Sequence, residues 1–401
     1  MHIVLVCREY IGSSRAGGIA SYLQEISNAY IKLGHRVTVV TASEDTRKRE
    51  VEKINDSLTI FRVDGGDFLN SSIEKNSFTN RFRFFYRFKS YRRKVYKIIS
   101  SIKDADVVEV ADYGAEGLYL DKLNIPVVLR LHTPMSLDIA TLNKTKLHIK
   151  NFPFFQSYKA ERRIYRKAKY ISSCSSALLE WVKKNLDISP RLVSVVNNPI
   201  NVMENIPQHE YNDSLTIFYG GTICDTKGVG DLVAACLILR EKNINVNLKL
   251  AGKGGSYYEA LKVKAETKHW NWISFLGKLN RNEMYQHYAS AAICCFPSWW
   301  ENMPMVCLEA MSVGAIVIAS SSGGAKEIIS DSVNGFIVDR KNPEMLADCI
   351  EKVLQMDKAS LEKISMNARN RIKNDFNPQF IASKLLSFYS DAIKDFKSLN
   401  N

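Results

Sequence analysis

The sequence predicts an α/β protein built from two Rossmann-like domains in tandem, each a parallel sheet with helices on both faces. Three observations carry this. The chain has 401 residues, more than one hydrophobic core comfortably organises. The order strand, glycine-rich loop, helix, strand opens both halves, and that order is the βαβ signature of a parallel sheet. A stretch rich in Asn and Pro, VVNNPINVMENIPQHEYND at 195–213, lies between them. The predicted domains are 1–200 and 201–377, with a closing helix over 378–401.

The elements follow in order. HIVLVC at 2–7 is an apolar run with no basic lead before it and no small-residue cleavage site, so it reads as a first strand and not a signal peptide. IGSSRAGG is its loop, IASYLQEISNAYIKLG has helical spacing, and HRVTVVT is a second strand. VVEVA and VVLRL continue the sheet. From 215 the order repeats as LTIFYG, GTICDTKGVG, DLVAACLILREKN and VNLKLAG. AAICCFP reads as a buried strand, helical propensity resumes at CLEAM, and PQFIASKLLSFYSDAIKDF closes the chain. No apolar run approaches the roughly 18 residues that cross a bilayer. Hydrophobic content of 46% with 24% charged residues is ordinary for a globular chain and excludes disorder as the main state. Eight cysteines without a C-x-x-C pair point to reduced structural thiols and a cytoplasmic protein.

Ligands of such domains bind at the carboxyl ends of the strands, and two domains set mouth to mouth would make a cleft. Candidate residues are weighed by that criterion. Gly17 and Gly18 fall between the first strand and first helix, where glycine lets backbone N–H groups approach an anion and the helix dipole adds attraction. A plain tight turn is the alternative, and the G-x-G-x-x-G spacing of a dinucleotide site is absent. Lys227, in GGTICDTKG, stands before the equivalent helix of the second half, where an ammonium can neutralise a phosphate. The P-loop pattern is not met, and a surface lysine is the plain reading. His132 ends the VVLRL strand, where a satisfied core histidine is the ordinary occupant. PSWWENMPMVCLEAMSVG, at 297–314, holds Glu301 and Glu309 separated by seven residues with no other charge between them. Trp299, Trp300, Met303, Met305, Val306 and Leu308 around them read as buried, and unpaired charge in such surroundings is costly. Glu309 is placed in the first turn of a helix, where dipole stabilisation is the plain account. Glu301 falls in the preceding loop, and that account does not reach it.

In combination these motifs resemble the retaining glycosyltransferases of the GT-B fold, family four. The resemblance rests on YGGTICDTKGVGDL, LAGKGG, ISFLGKL, the E-x7-E stretch, GGAKEII and NGFIVD, with weaker support from AGGIASYLQEIS, LHTP and VVNNPIN. It spans most of the chain and implies a GT-B architecture whose two parallel sheets face each other across a cleft. The first domain would take the acceptor and the second the nucleotide-sugar donor, with the closing helix crossing back toward the first. Glu309 looks like the residue that holds the ribose hydroxyls and Glu301 the one that holds a hydroxyl of the donor sugar. Backbone N–H groups of Asn302, Met303, Pro304's neighbours Met305 and Val306 would line the sugar and phosphate. Lys227 would stabilise the leaving diphosphate, Gly17 and Gly18 would approach the same phosphates, His132 would lie beside the sugar ring, and Leu279 would meet the base through its backbone. Where the family often has Gly-Arg, six residues before the lysine, this chain has Gly221 and Thr222, so a second cation is missing; Lys253 and Lys326 are candidates to supply it. With protein cations at the diphosphate, no cofactor and no metal is expected. The Asp104–Ala–Asp106 pair leads into VVEVA and reads as a strand border.

Residues 1–200 hold 33 Lys+Arg against 20 Asp+Glu, while 201–401 hold 22 of each, so all the net charge lies in the first half. Much of it falls in 81–97, with eight cations, seven aromatics and no acid. Phe84, Phe88, Tyr91, Val95, Ile98 and Ile102 make one helical stripe there. Either this helix packs on the sheet with a solvated basic back, or, with 152–170, it attaches the protein to an anionic membrane surface. The second reading gives a cytoplasmic protein, peripheral on the inner face of the plasma membrane, that acts on a lipid-linked or surface-glycan acceptor. Nucleic acid is not expected, since no recognition motif is present. A sugar-nucleotide epimerase and a non-catalytic nucleotide-sugar binder are the rival classes; a dehydrogenase lacks its glycine fingerprint.

Overall fold

The computed structural model describes residues 1–10, 17–43, 49–65, 78–137, 152–202, 207–209 and 215–400, apart from the side chains of 78–85, 88 and 152–157. The chain divides into two units, Met1–Pro199 with Pro378–Asn401, and Ile200–Asn377.

The first unit is an eight-stranded sheet in the order β3-β4-β2-β1-β5-β6-β7-β8. Its strands are β1 (His2–Val6), β2 (Arg36–Ala42), β3 (Glu50–Asn55), β4 (Leu58–Val63), β5 (Val107–Ala111), β6 (Val127–Leu131), β7 (Tyr170–Ser173) and β8 (Leu192–Val195). β1 and β5 are buried at every residue, as expected of central parallel strands covered on both faces. One pairing departs from the predicted parallel sheet: β3 runs antiparallel to β4 at the edge. Helices α1 (Gly18–Lys32), α2 (Phe78–Ser101), α3 (Phe152–Lys167) and α4 (Ser176–Asn185) belong to this unit. α2 buries Tyr91, Val95 and Ile98, which follows the stripe read from sequence, while Ile102 is half-buried just beyond the helix. The basic back is not wholly solvated, because Arg92 is fully buried. Phe84 and Phe88 lie outside the described side chains.

The second unit is a six-stranded, all-parallel sheet in the order β11-β10-β9-β12-β13-β14. Its strands are β9 (Thr216–Gly220), β10 (Asn247–Ala251), β11 (Ile273–Gly277), β12 (Ile293–Phe296), β13 (Val317–Ser320) and β14 (Phe336–Val338). The helices are α5 (Val229–Glu241), α6 (Ser256–Thr267), α7 (Arg281–Ser290), α8 (Met305–Ser312), α9 (Ala325–Ile328), α10 (Pro343–Leu354) and α11 (Lys358–Asp375). The strand order reverses between β9 and β12, and a crevice for ligand opens at the carboxyl ends of strands at such a switch point.

The last helix, α12 (Pro378–Asn400), returns to the first unit. It buries Ile381, Leu385, Phe388, Tyr389 and Ala392 at helical spacing, in the same core as Ile3, Leu5, Tyr22 and Ile26. Asp395 near its end accepts from Arg191 Nε and Nη2, each at 2.8 Å, and from the Tyr170 hydroxyl at 2.8 Å.

Candidate functional site

At the switch point of the second unit, two glycines let backbone segments come closer than any side chain would allow. After β9 the chain passes Gly221 and Thr222 into a short turn, Asp225–Lys227, that ends at Gly228 with φ +68°. A Cβ at Gly228 would stand 2.0 Å from the Pro297 carbonyl oxygen, so only glycine lets the turn rest on the end of β12. Trp299 N–H donates to the Thr226 carbonyl at 2.9 Å and clips the two loops together. Lys227 Nζ thereby reaches Glu301 Oε1 at 2.6 Å, and the Ser298 hydroxyl donates to the same oxygen at 3.0 Å. Glu301 is held from its other side by Gly323, φ +80°, where a Cβ would meet the Glu301 carbonyl oxygen at 1.9 Å. That carbonyl accepts from Gly324 N–H at 2.8 Å. The carboxylate is therefore not unpaired: the cation predicted to sit on the diphosphate is its partner.

Glu309 corrects the sequence reading. α8 begins at Met305, with Pro304 as its N-cap, two residues before CLEAM. Glu309 is then in the second turn, where a helix dipole has little to offer, so that account of it falls. Burial raises its carboxyl pKa, and the Tyr288 hydroxyl, donating to Oε2 at 3.0 Å, opposes this. Met305 and Val306 supply the first two N–H groups of α8, which have no acceptor within the helix. Of the flanking apolar residues, Met303 and Leu308 are buried, but Trp299, Trp300, Met305 and Val306 are only half-buried. The two indoles explain this by their polar tips: Trp299 Nε1 donates to Asp231 at 2.7 Å and Trp300 Nε1 to Asn302 at 2.6 Å, near the surface.

The loops after β9, β10 and β11 are stacked in the same manner. Gly252 lies where a Cβ would be 1.7 Å from the Gly221 carbonyl oxygen, and its N–H donates to the Gly277 carbonyl at 2.7 Å. β9 and β10 pair Gly220 with Ala251, and an isolated bridge further on pairs Ile223 with Gly254. This register sets Thr222 beside Lys253, which is exposed and forms no ion pair among the described residues. Lys326 is also exposed, on α9 beyond Gly324. Leu279, half-buried, ends the β11 loop just before Asn280, the capping-box residue of α7. The structure thus gathers Lys227, Glu301 and Glu309 with Gly221, Thr222, Leu279 and the segment 302–306 on one unit.

The other predicted residues belong to the first unit. His132 directly follows β6 and is buried. Its backbone N–H donates to Asp112 Oδ1 at 3.0 Å, and its ring meets Tyr22 edge-on at 4.8 Å. Burial, and then the nearby Arg130, lower its pKa well below the usual imidazole value, so it is neutral at physiological pH. Gly17 is the N-cap of α1 and Gly18 its first residue, both exposed. Asp104 and Asp106 act as strand-border residues: Asp104 engages Arg36 and His2, and Asp106 accepts from His2 N–H at 2.7 Å. Among the described residues no cluster of three His, Cys, Asp or Glu could hold a metal, and all eight cysteines are free. Sequence reasoning missed Asp112, which also accepts from Thr133 N–H at 3.2 Å and the Tyr165 hydroxyl at 2.7 Å and so fixes the His132 loop. The signal was a charged residue immediately after an apolar strand.

Comparison with known proteins covers both units. The family model described as Glycosyl transferases group 1 matches residues 203–371, and that described as Glycosyltransferase Family 4 matches 16–204. An uncharacterized glycosyltransferase of Methanocaldococcus jannaschii is 26% identical, over 98% of this chain and 99% of its own. The capsular polysaccharide biosynthesis glycosyltransferase CapM of Staphylococcus aureus is 27% identical over 46% of this chain and 48% of its own. Among solved structures, Anabaena HepE in complex with UDP and glucose superimposes with a TM-score of 0.70 at 17% identity, covering 98% of this chain and 100% of that one.

Proposed function

The chain belongs to the family 4, group 1 glycosyltransferases and has their GT-B fold, and on that premise we propose that it is a retaining hexosyltransferase using a UDP- or GDP-sugar. Transfer from a nucleotide sugar is the activity the family carries; the donor, the stereochemistry and the acceptor are this reading's own. The observation that carries it is the 2.6 Å contact of Lys227 with Glu301 at the β9/β12 switch point. Both side chains are about a quarter to a third exposed, 31% and 26%, so the pair costs little to open. An incoming donor exchanges the partners: diphosphate takes the Lys227 ammonium, and a sugar hydroxyl donates to the released Glu301 carboxylate. Glu309 accepts from the ribose hydroxyls, and the N–H groups of Met305 and Val306 face the phosphate. Lys253, set beside Thr222, supplies the second cation.

In the reaction, the bond from the anomeric carbon to the diphosphate oxygen breaks and its electron pair leaves with the nucleotide. Lys227 and the amino end of α8 take up that charge. The acceptor hydroxyl oxygen bonds to the anomeric carbon from the same face, and its proton goes to the departing phosphate oxygen. His132 of the first unit is kept neutral, so it can act only by hydrogen bonding and not as a cation. Because lysines meet the diphosphate, turnover is proposed to survive EDTA. The relationship to CapM and the basic first unit support a surface-glycan or lipid-linked acceptor, reached from an anionic membrane face through 81–102 and 152–170.

A thermal-shift series in EDTA with UDP, GDP, ADP and NAD on wild type and Glu309→Ala tests this. UDP or GDP should stabilise wild type by about 2.7 kcal/mol at a hundredfold excess over its dissociation constant, and the variant should lose the shift. Stabilisation by NAD alone would overturn the assignment.

A further inference from the structure

The first unit also holds a cavity of about 100 Å³ that reaches the amino ends of β6 and β7, whereas His132 follows the carboxyl end of β6. Its apolar wall includes Leu129 and Ile164, both buried, and Leu123, Ile125, Val127 and Phe396, which are only half-buried. The apolar lining therefore runs out to the surface and is not sealed by a side chain. At that surface it meets Arg163, Lys167 and Lys169. Lys167 is taken by Asp121. Arg163 and Lys169 are exposed and form no ion pair among the described residues. Lys169 Nζ stands 5.9 Å from the ring centroid of Phe396, directly at the apolar wall, and the nearby Asp395 is already bound by Arg191 at 2.8 Å. An apolar slot whose mouth carries two exposed cations without an ion pair among the described residues is complementary to a molecule with an apolar chain and an anionic head. A soluble phosphate would leave the slot unused, and a neutral apolar molecule would leave the cations unused.

We propose that this cavity binds an anionic membrane lipid, with one acyl chain in the slot lined by Val127, Leu129 and Ile164 and the headgroup on Arg163 and Lys169. The site does not rest on the transferase reading above. It adds a specific lipid to the diffuse surface attachment proposed for the basic helices, and the two are separable. The structural source of the ligand is a membrane lipid: an acyl chain long enough to fill the slot joined to a phosphate at its mouth.

Isothermal titration with dihexanoyl phosphatidylglycerol below its micelle concentration tests it, using the full chain. One saturable site is expected. Dihexanoyl phosphatidylcholine should bind at least tenfold more weakly, as should the phosphatidylglycerol to Arg163→Glu/Lys169→Glu. Val127→Trp, which fills the slot, should bind no lipid. Should that variant fail to fold, a series from dibutanoyl to dihexanoyl phosphatidylglycerol on wild type replaces it, with affinity expected to rise with chain length. Equal affinity for Val127→Trp and wild type, an affinity independent of chain length, or displacement of the lipid by inorganic phosphate would each overturn the proposal. Salt-sensitive pelleting with phosphatidylglycerol vesicles, unchanged in Val127→Trp and without binding of the monomeric lipid, would also overturn the cavity site while leaving the surface attachment standing.

Discussion

At the strand ends of the second unit the charged pair Lys227–Glu301 is a quarter to a third exposed and held by glycine-dependent backbone contacts, whereas beside the strand ends of the first unit the charges are sealed in. Arg92, Asp112, Glu116 and Glu161 are each at most 2% exposed. Arg92 Nε donates to the Ala115 carbonyl at 2.7 Å, and Glu161 accepts from Gly114 N–H at 3.1 Å and Met135 N–H at 2.8 Å. The Arg8 guanidinium stacks 4.9 Å from the centre of the Tyr113 ring. Burial pushes the Glu116 carboxyl up to about 7 and Arg92 down to about 9, while each partly restores the other's charge. A partly exposed pair can trade its partner for a ligand at small cost. A sealed cluster cannot, since removing one member strands the rest in a medium of low polarity. The first arrangement suits exchange with substrate; the second suits holding loops in place.

The largest effect should come from breaking the sealed cluster. Arg92→Met should lower stability by about 3–5 kcal/mol, the usual result of leaving a buried charge unpaired, read by chemical denaturation. A loss below about 1 kcal/mol would mean that the cluster is wet, and the contrast between the units would dissolve. Next, Lys227→Ala should reduce kcat/KM by about 10²–10³ with the fold intact, as for removal of one donor to a developing anion. A fall of less than about tenfold would move leaving-group stabilisation elsewhere.

Single buried groups in the two units push the acid response in opposite senses. His209, in the second unit, has its pKa lowered by burial from 6.5 to about 4. Between these values the unfolded chain binds a proton that the folded unit refuses, so stability falls as pH drops through that window, by up to about 1.4 kcal/mol per pH unit. Glu116 in the first unit has its pKa raised from 4.5 to about 7, so there the folded state binds the extra proton and acidification from 7 to 4.5 stabilises. Hydrogen exchange at pH 7 and pH 5 should show weaker protection of β12 and β13 at the lower pH, and Glu116→Gln, which removes the acid-stabilising group, should worsen the response of β1 and β5 relative to wild type. His209→Gln should flatten the response of the second unit; an unchanged loss of protection in β12 and β13 in that variant would refute the assignment.

How much of this was legible in sequence also divides by unit. The second unit's site lies in a few continuous stretches, with Lys227 beside Gly228, Glu301 near Glu309, and Gly323 in the next glycine loop. The start of α8 was the exception, because Pro304 offers no side-chain oxygen to mark a cap. The first unit's cluster brings Arg8, Arg92 and Glu161 from separate parts of the chain to the Asp112–Glu116 loop. No spacing connects them, and Arg92 was hidden among eight cations in 81–97. The stripe read there was one residue too narrow: α2 buries Arg92 and Ile99 alongside Tyr91, Val95 and Ile98. β3 was invisible for a different reason. Nearly all of it is exposed, so EVEKIN has no apolar alternation to betray an edge strand.

The smallest expected effect tests the weakest link in the exchange picture, the second cation. A diphosphate brings more negative charge than one ammonium offsets, and Thr222 brings none. Lys253 is beside Thr222 by the register of β9 and β10, whereas Lys326 is reached only beyond β13, on α9. Lys253→Ala should therefore lower kcat/KM about tenfold, roughly 1.4 kcal/mol, and Lys326→Ala much less. Two cations on one diphosphate are coupled, so the double variant Lys227→Ala/Lys253→Ala should lose less than the product of the single losses. Thr222→Arg should restore activity to Lys253→Ala if the two positions serve the same charge. Strict multiplicativity without rescue would place Lys253 outside the site and leave Lys227 as the sole protein cation acting on the leaving group.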